Sequence, residues 1–393
     1  MFDIEKETNG FESELKALRR DFHENPEIGF KEFRTSKVIY DYLKKLDIDV
    51  KNIAKTGVVG VLNGMAGEGK TILLRANMDA SPVDEKTELE FSSKNDGIMH
   101  ASGHDGQLAT LLVVAKMLSR HKTKLKGSVK FIFQPNEEGA GAVDMINEGI
   151  LENPDVDAAL ALEFTNDILS GHIGLSSGVV LGVTEEFEID LFGKSANTSA
   201  PHKGKDAILT ASKIIDSLQL LVSREYNPLY PIAIMIGRIC GGKARNFIAD
   251  KVTMGGTIRF LFPDGQSRKE EVMDSVERVV KSVCELCSMD YKIRFITSNP
   301  SLYNNPELVK IFKGCAEKIF INSDSINEHR GLMGEDFAEI SLRVPSVMAF
   351  LGIYNESKGL IYPMYHSKFN IDEEVMKYGV RFLVSSVLKF LNE

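Results

Sequence analysis

The sequence predicts an α/β protein: a domain built on a mostly parallel sheet, interrupted by an inserted ferredoxin-like α+β domain. Three features carry that expectation. Apolar strands alternate with helical patterns through the first half, those strands carry continuous apolar runs, and beyond residue 181 the rhythm changes. Continuously apolar strands belong to sheets covered on both faces, as parallel sheets are.

Taken in order, "FESELKALRRDFHENPE" (11–27) and "FKEFRTSKVIYDYLKKL" (30–46) place apolar residues at helical spacing. "VVGVLNG" (58–64) and "TILLRANMD" (71–79) read as strands and "GQLATLLVVAKMLSRHK" (106–122) as a helix. Strand "GSVKFIFQP" (127–135), helix "AGAVDMINEGIL" (140–151) and strand "VDAALALEF" (156–164) follow. "EEFEIDLFGKS" (185–195) then alternates like a half-exposed strand, before the helix "DAILTASKIIDSLQLLVSRE" (206–225). Strands at 231–242 and 251–262, a helix around Val272–Cys287 and a strand at 291–299 complete a β-α-β-β-α-β order, the split ferredoxin-like arrangement. The expected domains are therefore 1–181 with 295–393, and an insertion at 182–294. The first domain resumes with "PELVKIFKGCAEKI" (306–319), "SVMAFLGIY" (346–354) and a last helix at 373–391.

A chain of 393 residues has room for two domains, and 43% hydrophobic with 26% charged residues is ordinary for a globular protein. The net charge of −9 is scattered, which argues against a nucleic-acid partner, since phosphate binding needs clustered Lys and Arg. The N-terminus shows neither a basic nor an apolar leader segment, and the longest apolar run is broken by Lys116. The expectation is a cytoplasmic protein without a membrane partner. Four cysteines make no disulfide framework, and Cys284 and Cys287 fall in a helical pattern, where they read as small apolar residues of a buried face.

Sites in open α/β sheets gather at the carboxyl ends of strands. Polar clusters stand at such ends at 75–80, 99–106, 133–141 and 162–167, with another at 362–369. They place His104, Glu137, Glu138, Glu163 and His366 where they could converge. Imidazole with carboxylate suits Zn, Mn, Co or Ni rather than Ca or Mg. Adjacent glutamates divide naturally, one binding metal and the other accepting a proton from water.

With those clusters identified, the chain resembles, over nearly its full length, the metal-dependent N-acyl-amino-acid amidohydrolases: hippurate hydrolases, aminoacylases and auxin-conjugate hydrolases. "LRRDFHENPEIGFKEFRTS" is similar to the family's N-terminal signature and "RANMDASPVDEKTELEFSS…GIMHASGHDGQ" to its metal-binding block. "IFQPNEEGAGA" resembles its catalytic glutamate block, and "GKSANTSAPHKGKDAI" the start of its inserted domain. "GGKARNFIADKVTMGGTIRF", "GEDFA" and "YHSKF" complete the order. The resemblance implies a two-domain fold whose inserted domain forms a homodimer. It also implies one or two divalent transition-metal ions as cofactor and a small acylated amino acid as substrate. It assigns the catalytic base to Glu137, metal ligation to Glu138, His104 and His366, and support of the metal site to Asp79. Asn246 and Arg259 match inserted-domain residues that face the substrate, and His202 a histidine in the motif opening that domain.

The chain departs from that pattern inside the site. Ser102 stands where the family has a cysteine ligand, Glu163 where it has a histidine ligand, and Asn197 where a histidine steadies the oxyanion. Asn77 and Gln107 replace an aspartate and a histidine nearby. A serine hydroxyl stays protonated where a thiolate would bind firmly. Three outcomes follow: an amidohydrolase with an altered centre, its metal set including Ser102 and Glu163; a relative that binds a small acylated or carboxylated ligand or a partner without turnover; or an enzyme with one metal or a changed metal preference.

Overall fold

The computed structural model describes residues 2–393, the side chains of residues 297, 298 and 323 excepted. The chain divides into two compact units. One holds the residues up to Gly178 together with Tyr303–His329 and Glu339–Glu393; the other holds Val179–Leu302 and Arg330–Ala338.

The first unit is built on an eight-stranded sheet, in the order Asp49–Ile53, Gly57–Asn63, Ser128–Gln134, Thr71–Asn77, Ala158–Leu169, Ser346–Tyr354, Ile173–Gly174 and Ile326–Asn327. Thr71–Asn77 pairs parallel with the strands on both its sides, and Ser346–Tyr354 pairs parallel with Ala158–Leu169. Every residue of Thr71–Asn77 is buried, as expected of a strand covered on both faces. Helix His104–Arg120, flanked by helices Glu12–Glu24 and Met376–Leu391, covers part of this sheet and is buried along nearly its whole length. Parallel pairing brings strand ends together: Asn77 lies in register with Gln134, so Asp79 and the turn carrying Glu137 and Glu138 leave the sheet side by side.

One lysine breaks the apolar run of Ser128–Gln134. Lys130 is 1% exposed, and its ammonium donates to the carbonyls of Ile150, Glu152 and Pro154 at 2.9, 2.7 and 2.9 Å. Burial lowers its pKa to about 8. The three carbonyls tie the 150–154 loop to the underside of the strand.

The second unit is an antiparallel four-stranded sheet, ordered Asp290–Asn299, Val183–Phe192, Lys251–Phe260, Ile232–Gly241, with helices Ala207–Leu220 and Lys269–Leu286 packed on it. Phe187, Ile189, Met254, Ile258, Ile214 and Val276 form its core. Cys284 is buried in that core with a thiol pushed up to about 11 by burial, and no cysteine is in a disulfide. Residues 330–338, left with the first domain by the sequence pattern, join this unit through backbone bonds: Gly331 N–H to Val180 O at 2.9 Å and Gly182 N–H to Gly331 O at 3.0 Å. Among the described residues, no helix is long and apolar enough to cross a membrane.

Candidate metal centre

The helix His104–Arg120 starts after Gly103, whose φ of 87° is a left-handed conformation that glycine adopts without penalty. That turn aims His104 back toward the end of the Thr71–Asn77 strand. His104 Nδ1 lies 2.8 Å from the carbonyl oxygen of Asp79 and 3.4 Å from its carboxylate Oδ1, and Nε2 lies 3.3 Å from the Asn77 amide. Asp79 Oδ2 accepts the backbone N–H of Glu138 at 3.3 Å. On the other side, Gln107 Nε2 donates to Glu163 Oε1 at 2.7 Å, while Gln107 Oε1 accepts Asn77 N–H at 3.2 Å. A continuous series of hydrogen bonds thus runs from Glu163 through Gln107, Asn77, His104 and Asp79 to Glu138.

Burial works against a charge on His104, but its hydrogen bond to Asp79, with the charges of Asp79 and Glu163, raises its pKa to about 9. The same pairing outweighs burial at Asp79 and holds that carboxyl below its usual range. The protonated ring then needs an acceptor at Nε2. The Asn77 Nδ2 faces Nε2 at 3.3 Å; turned over, the amide would offer its Oδ1, which is otherwise buried without a hydrogen bond. Ser102 is fully buried, and its hydroxyl has no hydrogen-bond partner among the described residues.

Glu137 is half-buried and Glu138 exposed, both in the short turn that follows the strand Ser128–Gln134. His366 is exposed, its ring stacked on Tyr362 at 4.6 Å, and its Nδ1 accepts the backbone N–H of Lys368 at 3.0 Å. The loop bearing it is docked by Tyr365 N–H to Ala101 O at 2.8 Å. The structure thus links the side chains of His104 and Glu163 and the backbone N–H of Glu138 by hydrogen bonds, leaves Ser102 two residues before His104 with an unused hydroxyl, and keeps His366 on a loop of its own.

In the second unit, Asn197 is exposed and its Oδ1 accepts the backbone N–H and hydroxyl of Ser199 at 2.9 and 2.8 Å. The loops of Asn197 and Asn246 meet through Thr198 N–H to Asn246 O at 3.1 Å. Arg259 is half-buried and donates to Leu332 O at 2.9 Å; His202 is exposed in the turn Pro201–Lys203.

Sequence reasoning passed over Asp105, which follows His104 and is fully buried. Its Oδ2 accepts Arg19 Nε at 2.9 Å and lies 2.8 Å from His23 Nδ1. His23 Nε2 reaches Glu85 at 3.2 Å, and Arg19 continues to Glu373 and Asn370. This network clamps the start of the His104 helix to the N-terminal helix. The signal lay in "RRDFHENPE", where Arg19 and His23 are four apart and so share one helical face. Asp105→Ala leaves two buried cationic groups without their carboxylate and should cost about 3–5 kcal/mol of unfolding free energy in denaturant titrations.

Comparison with known proteins gives the family. The family described as peptidase family M20/M25/M40 matches residues 73–389. The chain belongs to that family. It is 34% identical over 397 residues to thermostable carboxypeptidase 1 of Saccharolobus solfataricus, covering 99% of this chain and 98% of that one. It is 34% identical over 383 residues to the N-acetyl-L-cysteine deacetylase of Bacillus subtilis, covering 97% and 89%. Among solved structures it resembles the Bacillus subtilis YXEP protein, a dinuclear metal-binding peptidase of the M20 family, with a TM-score of 0.82, 28% identity and coverage of 98% and 99%. The family member described here is a hydrolase of the metallopeptidase and amidohydrolase kind.

Proposed function

We propose that the chain hydrolyses the amide bond of N-acyl amino acids or related small amides, with His104, Glu138, Glu163 and His366 holding at least one divalent transition metal. The observation that carries this reading is the hydrogen-bonded series from Glu163 to Glu138. It sets the carboxylates of Asp79 and Glu163 about the single imidazole of His104 and ends on the backbone N–H of Glu138, next to Glu137 in the chain. Two buried carboxylates about one imidazole fit a cation. Asp79 supports His104 as outer carboxylates support ligating histidines elsewhere. The cation, when bound, supplies Lewis-acid polarisation of the scissile carbonyl.

The rest is work for the chain's own side chains. Glu137 takes a proton from the attacking water and returns it to the leaving amine. Gln107 orients Glu163 by its 2.7 Å bond, and Asp79 fixes the ring plane of His104. Arg259 and Asn246 face the substrate's carboxylate and scissile region, and Asn197 steadies the oxyanion in place of the family's histidine. The first domain is then catalytic and the insertion a dimerisation domain.

A screen of N-acyl amino acids with Mn, Zn, Co and Ni, accompanied by elemental analysis, tests this reading. Metal-dependent release of a free amino acid, abolished by chelation, is expected; a protein that takes up no metal and turns nothing over would sink it. Because metal and proton compete for the His104 ring, metal affinity should rise with pH through about 9 and level off only above it, once the ring has lost its proton. Calorimetric titration at several pH values reads that slope, and a flat profile would contradict it.

Homodimerisation follows from the edge of the inserted sheet. Strand Ile232–Gly241 pairs on one side only, and its Met235 and Ile239 are 60% and 51% exposed. Leu209 and Leu220 of helix Ala207–Leu220 add exposed apolar surface to the same unit. An unpaired apolar edge is association-prone, and two-fold pairing satisfies it. Light scattering should report a dimer at micromolar concentration, converted to monomer by Ile239→Lys; a wild-type monomer would refute the assignment.

A further inference from the structure

The helix Phe33–Lys45 begins with a division of labour between two glutamates. Glu32 stands at its N-cap position but makes no side-chain cap bond. The free N–H groups of Arg34 and Thr35 go instead to the carboxylate of Glu27, at 3.0 and 2.8 Å. Glu32 is thereby released to point inward, where it is fully buried. One of its oxygens accepts the Thr56 hydroxyl at 2.6 Å and the other the backbone N–H of Asn136 at 2.9 Å.

Asn136 is the residue before Glu137, and it is held from every side. Its φ of 49° is a left-handed conformation that asparagine tolerates better than most residues. Its side chain fills space that two glycines leave open: a Cβ at Gly29 would come within 2.0 Å of its Oδ1, and one at Gly139 within 2.4 Å of its Nδ2. Its carbonyl accepts the N–H groups of Gly139 and Gly141 at 3.1 and 2.9 Å. Its own N–H is left to Glu32. The same N-terminal stretch also grips the strand end that carries Asp79, through Ala80 N–H to Glu27 O at 2.8 Å and the bridge between Ile28 and Ala80.

We infer that Glu32 is a positioning residue for the amide-hydrolysing site: by fixing the Asn136 peptide, its carboxylate sets the direction in which the next turn presents Glu137 and Glu138. The inference rests on the roles proposed above for those two residues. Fold stability alone gives no reason for this choice. A carboxylate buried against two neutral donors is a costly element, and an apolar side chain of similar volume would cover the same space at lower cost. The carboxylate does something an apolar residue does not: it accepts a peptide N–H at the one position that orients both glutamates.

The test compares Glu32→Ala, Glu32→Asp and Glu32→Gln in the full chain. The readouts are kcat and KM on the best N-acyl amino acid, Mn(II) affinity by titration of the metal alone, and the melting midpoint. Glu32→Gln keeps an acceptor for Asn136 N–H and should stay within about 3-fold of wild type in kcat and Mn(II) affinity, since hydrogen-bonded geometry is retained. Glu32→Ala loses the acceptor and should lower kcat and Mn(II) affinity by about 10–100-fold, the range for groups that orient a site from behind, with KM little changed. Glu32→Asp, which keeps the charge but falls one methylene short, should show the same losses and serves if the alanine variant fails to fold. A lowered melting midpoint with wild-type kcat and Mn(II) affinity in the Ala and Asp variants would overturn the positioning role, as would a Gln variant as impaired as Asp. A wild type that neither binds Mn(II) nor turns over would overturn the functional reading itself and this inference with it.

Discussion

Glu137→Gln should lower kcat on the best N-acyl amino acid by about 10²–10⁴-fold, the usual cost of removing a general base, while leaving the fold and metal content unchanged. The substitution keeps the size and one hydrogen-bonding oxygen of the side chain, so the turn that follows Ser128–Gln134 has no reason to rearrange. Glu137 is half-buried there, beside the Asp79 carboxylate that accepts the neighbouring Glu138 N–H. The amide cannot take a proton from water at neutral pH. Metal content separates the two glutamates: Glu138→Gln should lose metal, whereas Glu137→Gln should not. Elemental analysis beside steady-state kinetics checks both. Full activity in Glu137→Gln would mean that the base is another group.

The layers of the fold were legible because burial on both faces leaves a plain trace. Ile72–Leu74 and Ala158–Leu162 are apolar without interruption, and their strands occupy the middle of the sheet. Lys130 could not be placed from pattern, since a lysine in such a strand is tolerated only where a loop distant in sequence offers three carbonyls. The two-residue strands Ile173–Gly174 and Ile326–Asn327 are too short to show a period. Residues 330–338 join the second unit through backbone bonds to Val180 and Gly182, and backbone bonds carry no side-chain signature.

The candidate site divides along the same line. Residue types at expected strand ends pointed to His104, Glu137, Glu138 and Glu163; His104 opens a helix and Glu137 and Glu138 lie in the turn after a strand, whereas Glu163 sits inside Ala158–Leu169, which runs five residues past its expected end. Their partners were not legible. Gln107 reads in the sequence as a histidine lost, but in three dimensions it is the donor that holds Glu163 and the acceptor that holds the Asn77 peptide. Asp105 and Glu32 are read correctly only once their partners Arg19, His23 and Asn136 are in place, and those partners come from other elements.

Glu163→Ala and Ser102→Ala should separate a working centre from a relic. Glu163 is 4% exposed and accepts Gln107 Nε2 at 2.7 Å and Phe164 N–H at 3.1 Å. Its removal takes one negative charge from beside His104 and leaves the Gln107 amide without that acceptor. If Glu163 holds the cation, Mn(II) affinity should fall by about 100-fold or more, at least the upper end of what loss of a supporting partner costs. Ser102→Ala should change it by less than about 3-fold, because the hydroxyl is neutral and its removal breaks no hydrogen bond. The replaced atoms also set the choice of metal. Without a thiolate, the donor set of His104, Glu138, Glu163 and His366 is rich in oxygen, which narrows the usual advantage of Zn over Mn. Ser102→Cys therefore should raise Zn(II) affinity far more than Mn(II) affinity. Titrations of wild type and the three variants with both metals decide it. Equal and negligible effects of Glu163→Ala and Ser102→Ala would show that Glu163 is buried there for Gln107 alone, and that the proposed ligand set is wrong.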